Sequence, residues 1–470
     1  MAFQTNLSLI NLTPYDWTGY TLAETTGLIE WDFPKTLASG DTYQASIVID
    51  TSHGSNPTQA KADWPFSWID QAHPVADLKI SVSGDDGDGA DYSYAIDATL
   101  EQFGTQRNPK GSTISIPLYE DAWSPFLLVG DNGSLAGNNP PLDWMEQNLG
   151  LIGCLTLQDI VLPGSHDSGM SQINYAHGGT ADNSQTQTLS VLGQLEAGVR
   201  YFDVRPSISH GQFYTGHYTD ELGANGESMA DIVSDVNAFT GRGFNELVVL
   251  ELSHSLDTDS GYGAFSDAQY RDLLTQLSRG LEHLYTGHAS DVLTTVRLSD
   301  FISSSPAVVV VCDERDKSWL SANGFLGKGF YGSGQMPVYN SYADTTELDT
   351  MRQDQWAKFS AQAKNPDTPD QLFLLSWTFT QDVLGAIGIG LGIGADGGAD
   401  GTSIRDSAAY FNGFLAQTGG AVPYTGPLEW AKKAGKPPNI IMIDNVPTDN
   451  RFLATLCLGM TRWFNRDEKC

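Results

Sequence analysis

The chain has 470 residues, 40% hydrophobic and 17% charged, a globular composition too long for one ordinary core. Acidic residues number 57 against 25 basic ones, for a formal net charge of −32. That balance argues against nucleic acid as a partner, which needs clustered Lys and Arg, and against tight docking on an anionic membrane.

Residues 1–135 read as an all-β module. Short, partly alternating runs such as "TYQASIVID", "DYSYAIDATL" and "STISIPLYE" are separated by Gly, Pro and Asp clusters, the pattern of a sandwich. The loop at 84–91 gathers Asp85, Asp86, Asp88 and Asp91 without a calcium-loop spacing, so an acidic turn is expected. The opening "MAFQTNLSLI" has no basic stretch ahead of an apolar one, so no export signal is expected. Asn6, Asn11 and Asn132 begin glycosylation sequons that matter only in a secreted protein, and location is left open between secreted and cytoplasmic. A linker is placed at 136–150, around "GNNPPLDW".

The pattern then changes over 151–470. Nearly continuous apolar runs appear in "LQDIVLP", "VRYFDVR", "LVVLELS", "AVVVVCD", "LFLLSW" and "NIIMIDNV". Helical periodicity lies between them. Met229, Ile232, Val233, Val236 and Phe239 share one face, and Ser266 with Gln269 has the capping-box spacing ahead of a leucine stripe. Buried strands alternating with helices predict a parallel sheet covered outside, and six or more in this length predict an irregular TIM-type (β/α) barrel. A doubly wound sheet is the alternative, but no GxGxxG follows a strand. Cys154, Cys312 and Cys457 lie in apolar surroundings and are expected to be free thiols. The window "VLGAIGIGLGIG" at 383–394 is too short and Gly-rich to span a bilayer and reads as a loop, with a lipid-touching rim as the alternative.

In such a barrel the chemistry sits on the loops that follow the strands. "VLPGSHDSG" puts His166 and Asp167 on a turn just past an apolar run. Two-residue periodicity sets Val199, Tyr201, Asp203 and Arg205 on one strand face, and Asp444 closes "NIIMID". These polar groups are expected to converge at one rim.

"LPGSHDSG", "GQLEAGVRYFDVRP", "GQFYTGHY", "NELVVLELSH" and "NIIMIDNV", in that order, resemble the X domain of phosphatidylinositol-specific phospholipases C over roughly 150–450. The resemblance implies an irregular TIM-type barrel that cleaves an inositol phospholipid or glycolipid at a membrane surface touched only transiently. The inositol 2-hydroxyl would attack phosphorus, releasing diacylglycerol and leaving a cyclic phosphate. It makes His166 the base and His217 the acid, ahead of the rivals His210 and His177, two imidazoles suiting opposite protonation states. Asp167 and Asp444 would each orient an imidazole, Arg205 would hold the phosphate and Asp203 would hold Arg205.

Calcium-dependent relatives carry a second carboxylate where Arg205 stands, so no metal or other cofactor is expected. Bacterial-type relatives carry a Lys on the strand aligned with "LVVLELSH", where this chain has Glu251, Ser253 and His254. Asp203, Glu251 and His254, with the aromatics Tyr339, Tyr342 and Trp377, are the expected substrate contacts. His283 and His288 read as solvated groups at a helix end. The N-terminal β module resembles an addition found in some fungal relatives. Competing readings are the same chemistry on an inositol sphingolipid, or a weak or inactive lipid- or glycan-binding protein. Retention of His166, Asp167, Arg205 and His217 together speaks against the last.

Overall fold

Runs that partly alternate apolar and polar residues become sheets of a first unit; nearly continuous apolar runs supply strands of a second. The computed structural model describes residues 2–19, 28–50, 64–70, 73–85, 93–131, 133–288, 290–365, 367–380, 403–447 and 451–470. Asp86, Asp88, Asp91, Asn132 and the apolar window at 383–394 lie outside the described residues.

The first unit comprises residues 1–141, 413–437 and 448–467. A five-stranded sheet contains Ala2–Leu12, hydrogen-bonded antiparallel to Thr42–Asp50 and parallel to Trp123–Val129. A six-stranded sheet carries Ser93–Leu100 and Thr113–Leu118. Leu7, Leu9 and Ile47 of one and Ile96, Ile116 and Leu118 of the other share a single core, as a sandwich requires. The helix Phe452–Phe464 is apolar on every face up to Met460, so it can only be buried. It closes on Trp123–Val129 at Gly459, where a Cβ would stand 2.9 Å from a Leu127 methyl. Asn11 is fully buried with its side-chain amide donated to the carbonyls of Tyr15, Leu37 and Ala38, which removes it as a glycosylation site.

The division differs from the boundaries expected at 135 and 150. Ala136–Gly137 is a strand paired with Leu128 and Val129, and Trp144–Ile152 is a helix of the second unit. Two C-terminal segments also return to the first unit. A reading along the chain sees composition change once and cannot see it come back.

The second unit holds residues 142–412, 438–447 and 468–470. Its main sheet has eight parallel strands: β1 (Leu162–Ser165), β2 (Tyr201–Val204), β3 (Leu247–Leu252), β4 (Ala307–Cys312), β5 (Phe330–Gly332), β6 (Val338–Asn340), β7 (Leu372–Trp377) and β8 (Ile440–Ile443). Their hydrogen-bonded order is 5-4-3-2-1-8-7-6, the cyclic order of a (β/α) barrel. Among the described residues the ladder is open between β5 and β6, which makes the barrel irregular. The expected helices form at Met229–Thr240 and Asp267–Gly280, the latter with the Ser266–Gln269 capping box in place. No described helix is long and apolar enough to cross a membrane.

A second, five-stranded sheet is built from the segments that follow β1, β2 and β3, in the order Tyr175–His177, Leu222–Ser228, Gln212–Thr219, Pro206–Ser209, Leu256–Asp257. Cys154 forms a disulfide with Cys470, which corrects the expectation of a free Cys154; Cys312 and Cys457 are free and buried as expected. The partners stand 316 residues apart in sequence, a separation that hides their proximity.

Candidate active site

β1 runs from Leu162 to Ser165, so His166 sits at the strand terminus itself. Pro163 and Gly164 look like a turn in sequence, yet Gly164 pairs with both Tyr201 and Met442. The chain then turns sharply. Asp167 adopts φ +42, a left-handed conformation that Asp tolerates better than most residues. Gly169 allows the turn to press against the neighbouring sheet, because a Cβ there would lie 2.4 Å from the Thr215 side chain. Gln187 holds the turn to the end of β8: its amide donates to the His166 carbonyl at 2.9 Å, and its oxygen accepts the Val446 N–H at 3.0 Å.

The side chains meet in one network. His166 Nδ1 lies 2.7 Å from Asp444 Oδ1, and its Nε2 lies 2.6 Å from Arg205 Nη2. A guanidinium can only donate, so His166 Nε2 carries a lone pair and Nδ1 carries the proton given to Asp444. Arg205 also donates from Nε to Asp203 Oδ2 at 3.1 Å; its Nη2 lies 3.0 Å from that oxygen and its Nη1 3.7 Å from Asp167 Oδ2. That same Asp167 oxygen is 2.8 Å from His217 Nδ1. His217 reaches the site from the strand Gln212–Thr219 of the second sheet. Both imidazoles remain partly exposed, 16% for His166 and 23% for His217, while Asp167 is fully buried behind its ring. The guanidinium thus meets one imidazole directly and the carboxylate of the other, and each imidazole is backed by its own carboxylate.

Electrostatics follow the contacts. Burial pushes the Asp203 carboxyl up, but Arg205, His166, the Asp167 N–H and the Ser253 hydroxyl overcome it and hold Asp203 well below the usual carboxylate range. Burial pulls Arg205 down, yet Asp203 and Asp167 raise it above its ordinary value. Burial also lowers His166, Asp444 opposes it more strongly than Arg205 assists it, and the balance lies above the usual histidine value. Glu251 is pushed up to about 8, chiefly by burial and then by the charge of Asp203. Among the described residues no three His, Cys, Asp or Glu side chains are grouped as a metal site.

The remaining expected contacts separate into distinct places. Glu251 lies beside Asp203 across the β2–β3 ladder, 8% exposed, and accepts the Tyr201 hydroxyl at 2.7 Å. His254 is exposed immediately past β3 and bonds to Ser253. Tyr342 is exposed on the loop after β6, and Tyr339 is stacked on Phe373. Trp377 is corrected outright. It is 1% exposed, donates its indole N–H to the Phe411 carbonyl and lies under the Arg352 guanidinium, so it packs the barrel wall and cannot stack on a ligand. His210 occupies the turn between Pro206–Ser209 and Gln212–Thr219 and stacks on Tyr175; His177 bonds to the Tyr262 hydroxyl. Gln187 was not singled out in the sequence, and Ser253 was named there only as standing, with Glu251 and His254, where bacterial-type relatives carry a Lys. Ser253, the first residue past β3, donates to Asp203 Oδ1 at 2.8 Å.

No family model matches the chain. It is 31% identical over 126 residues to a PI-PLC X-box domain-containing protein of Dictyostelium discoideum, covering 24% of this chain and 16% of that one. It is 28% identical over 138 residues to PI-PLC X domain-containing protein 3 of Bos taurus (24% of this chain, 41% of that). The 1-phosphatidylinositol phosphodiesterase of Listeria monocytogenes is 25% identical over 148 residues, 29% of this chain and 43% of that one. Over these stretches the chain is similar to proteins named for the phosphatidylinositol-specific phospholipase C X domain and to one named a phosphatidylinositol phosphodiesterase. The chain spans less than half the length of these curated relatives. A solved structure of the Staphylococcus aureus phosphatidylinositol-specific phospholipase C superposes with a TM-score of 0.46 at 16% identity, over 68% of this chain and 98% of that one.

Proposed function

We propose that the barrel is a phosphodiesterase of the phosphatidylinositol-specific phospholipase C class. The observation that carries this reading is the paired His166–Asp444 and His217–Asp167 arrangement with Arg205 between them. His166 Nε2 holds the lone pair that takes the proton of the inositol 2-hydroxyl. The resulting oxygen attacks phosphorus as Arg205 turns its Nη2 from His166 to the non-bridging oxygens. His217, held through Nδ1 by Asp167, gives a proton from Nε2 to the departing diacylglycerol oxygen. One P–O bond forms, one breaks, and the products are a five-membered cyclic inositol phosphate and diacylglycerol. Arg205, held through Nε by Asp203, supplies the guanidinium that meets the non-bridging oxygens, the place a cation would otherwise take, and on this reading turnover needs no added cation.

The test is phosphorus NMR on vesicles containing phosphatidylinositol, an inositol-linked glycolipid or an inositol phosphosphingolipid, in excess chelator. A cyclic phosphate signal from one of them supports the reading and identifies the leaving group. H166A and H217A should each lose a factor of about 10²–10⁴. R205K should lose much of the rate while keeping the charge, because lysine cannot make two parallel hydrogen bonds to phosphate. Absence of cyclic product from all three lipids rejects it, and activity restored only by calcium rejects the role given to Arg205.

A further inference from the structure

Ser253 fixes where the proton sits on a third histidine. Its hydroxyl is 2.8 Å from Asp203 Oδ1 and 2.9 Å from His254 Nδ1. Asp203 is ionised beside Arg205 and can only accept. The single hydroxyl proton therefore goes to Asp203, and Ser253 Oγ must accept from His254 Nδ1–H. In the neutral ring this leaves Nε2 as a bare acceptor. Ser253 is 5% exposed while His254 is exposed, so a buried hydroxyl holds one nitrogen of an exposed residue just past the C-terminal end of β3.

The backbone makes an independent case. His254 has φ +49, as Asp167 has +42 and Asn445 +47. Left-handed backbone is costly for a residue with a side chain and concentrates at sites where geometry matters. The three residues follow β3, β1 and β8, and the turns after β1 and β8 are the ones that present His166, Asp167 and Asp444. The turn after β3 repeats the conformation and presents His254. A buried core role is excluded by its exposure, and the hydrogen bonds tie it, through Ser253 and Asp203, to the guanidinium assigned to the phosphate.

We propose that His254 is a substrate contact that accepts a hydrogen bond at Nε2 from a hydroxyl of a polyol headgroup, and that Ser253 is the positioning residue that sets this polarity. The proposal rests on the phosphodiesterase reading for the place of the phosphate. It predicts preference for phosphodiesters whose alcohol carries further hydroxyls over simple alkyl phosphodiesters.

The test has two arms. Nitrogen-15 NMR on the intact, substrate-free chain should show His254 protonated at Nδ1 with a lone pair at Nε2. S253A should release that preference, and myo-inositol should shift the Nε2 resonance in the wild type but not in S253A. In the kinetic arm, H254A should raise KM by about three- to tenfold with kcat changed less than about twofold, the worth of one neutral hydrogen bond. H254Q, which keeps an acceptor at that reach, should recover part of the loss. H254G, which relieves the left-handed backbone, separates a folding defect from a lost contact. A His254 protonated at Nε2, or an unchanged KM in both H254A and H254G, overturns the proposal. If no lipid is turned over but the Nδ1–H form and the myo-inositol response persist, the contact stands and the phosphodiesterase reading falls. If lipid is cleaved with KM unmoved, the reverse holds.

Discussion

His166 faces two demands that pull in opposite directions. As the base of the proposed mechanism it must be neutral, and the 2.6 Å contact with Arg205 Nη2 is compatible only with an unprotonated Nε2. Asp444, 2.7 Å from Nδ1, favours the charged ring and holds the His166 value above the ordinary histidine one. The two effects together make a base that is ready when Arg205 is near and able to keep a proton once Arg205 has moved to phosphate. The acidic limb of the pH–rate profile should therefore titrate above the usual histidine value. Removing the carboxylate in D444N withdraws the raising influence, so that limb should move to lower pH while the plateau falls by about 10²–10⁴. An acidic limb unmoved in D444N would detach Asp444 from the base. Much of this was legible in the residues: "SHDSG" and the closing "MID" marked the two turns, and the strand periodicity brought Asp203 and Arg205 to one rim. Which carboxylate serves which imidazole was not legible, because it depends on Asp167 reaching sideways to a strand 50 residues away.

The parallel strands do different work at their two ends. Residues at the C-terminal ends form the site; those ahead of β2 and β3 hold the barrel shut. Arg200 and Glu246 are both fully buried there, 2.7 Å apart. Arg200 also donates to the carbonyls of Leu195, Val199 and Leu142, and Glu246 accepts the backbone N–H of Glu146 at 2.9 Å, in the first turn of the helix Trp144–Ile152. E246A leaves a guanidinium buried without its charge partner and should cost about 3–5 kcal/mol in urea unfolding. The double variant R200M/E246L removes both charges and should be much milder. An E246A chain of wild-type stability would show that water enters this end of the barrel. β3, β4, β7 and β8 were legible because strands buried on both faces are nearly continuously apolar, Glu251 and Ser376 being their only polar residues. β5 and β6 were not, being three residues each and including Gly332 or Asn340. Trp377 was misread because it ends a strand at the rim, where an aromatic is expected to meet ligand; the helix Ile404–Asn412 packs over it instead.

At the scale of the whole chain, buried acids bend the dependence of stability on pH. Glu251 is pushed up to about 8 and Glu227 to about 7, in both cases first by burial and then by neighbouring Asp charges, with bonds from Tyr201 or Ser171 only partly opposing. Each holds a proton in the folded chain that it releases on unfolding anywhere between about 4.5 and its own folded value. Their stabilisation is complete below about 4.5 and is lost as pH rises through 7 and 8. His166, also raised, acts with the same sign across the histidine range. Asp203, held low, has the opposite sign, its contribution disappearing only as pH falls below the ordinary carboxylate range. A formal charge of −32 adds self-repulsion that grows as the remaining acids ionise. Thermal melts should therefore show the highest Tm in mildly acidic solution, declining from about pH 5 to pH 9. E251Q should flatten the alkaline part of that decline, because glutamine keeps the buried shape and has no proton to lose, and E227Q should flatten the part nearer neutrality. A Tm that climbs between pH 5 and 8, or an E251Q chain with an undiminished alkaline decline, would mean that these carboxyls are ionised in the folded barrel and that its interior is wetter than their burial indicates.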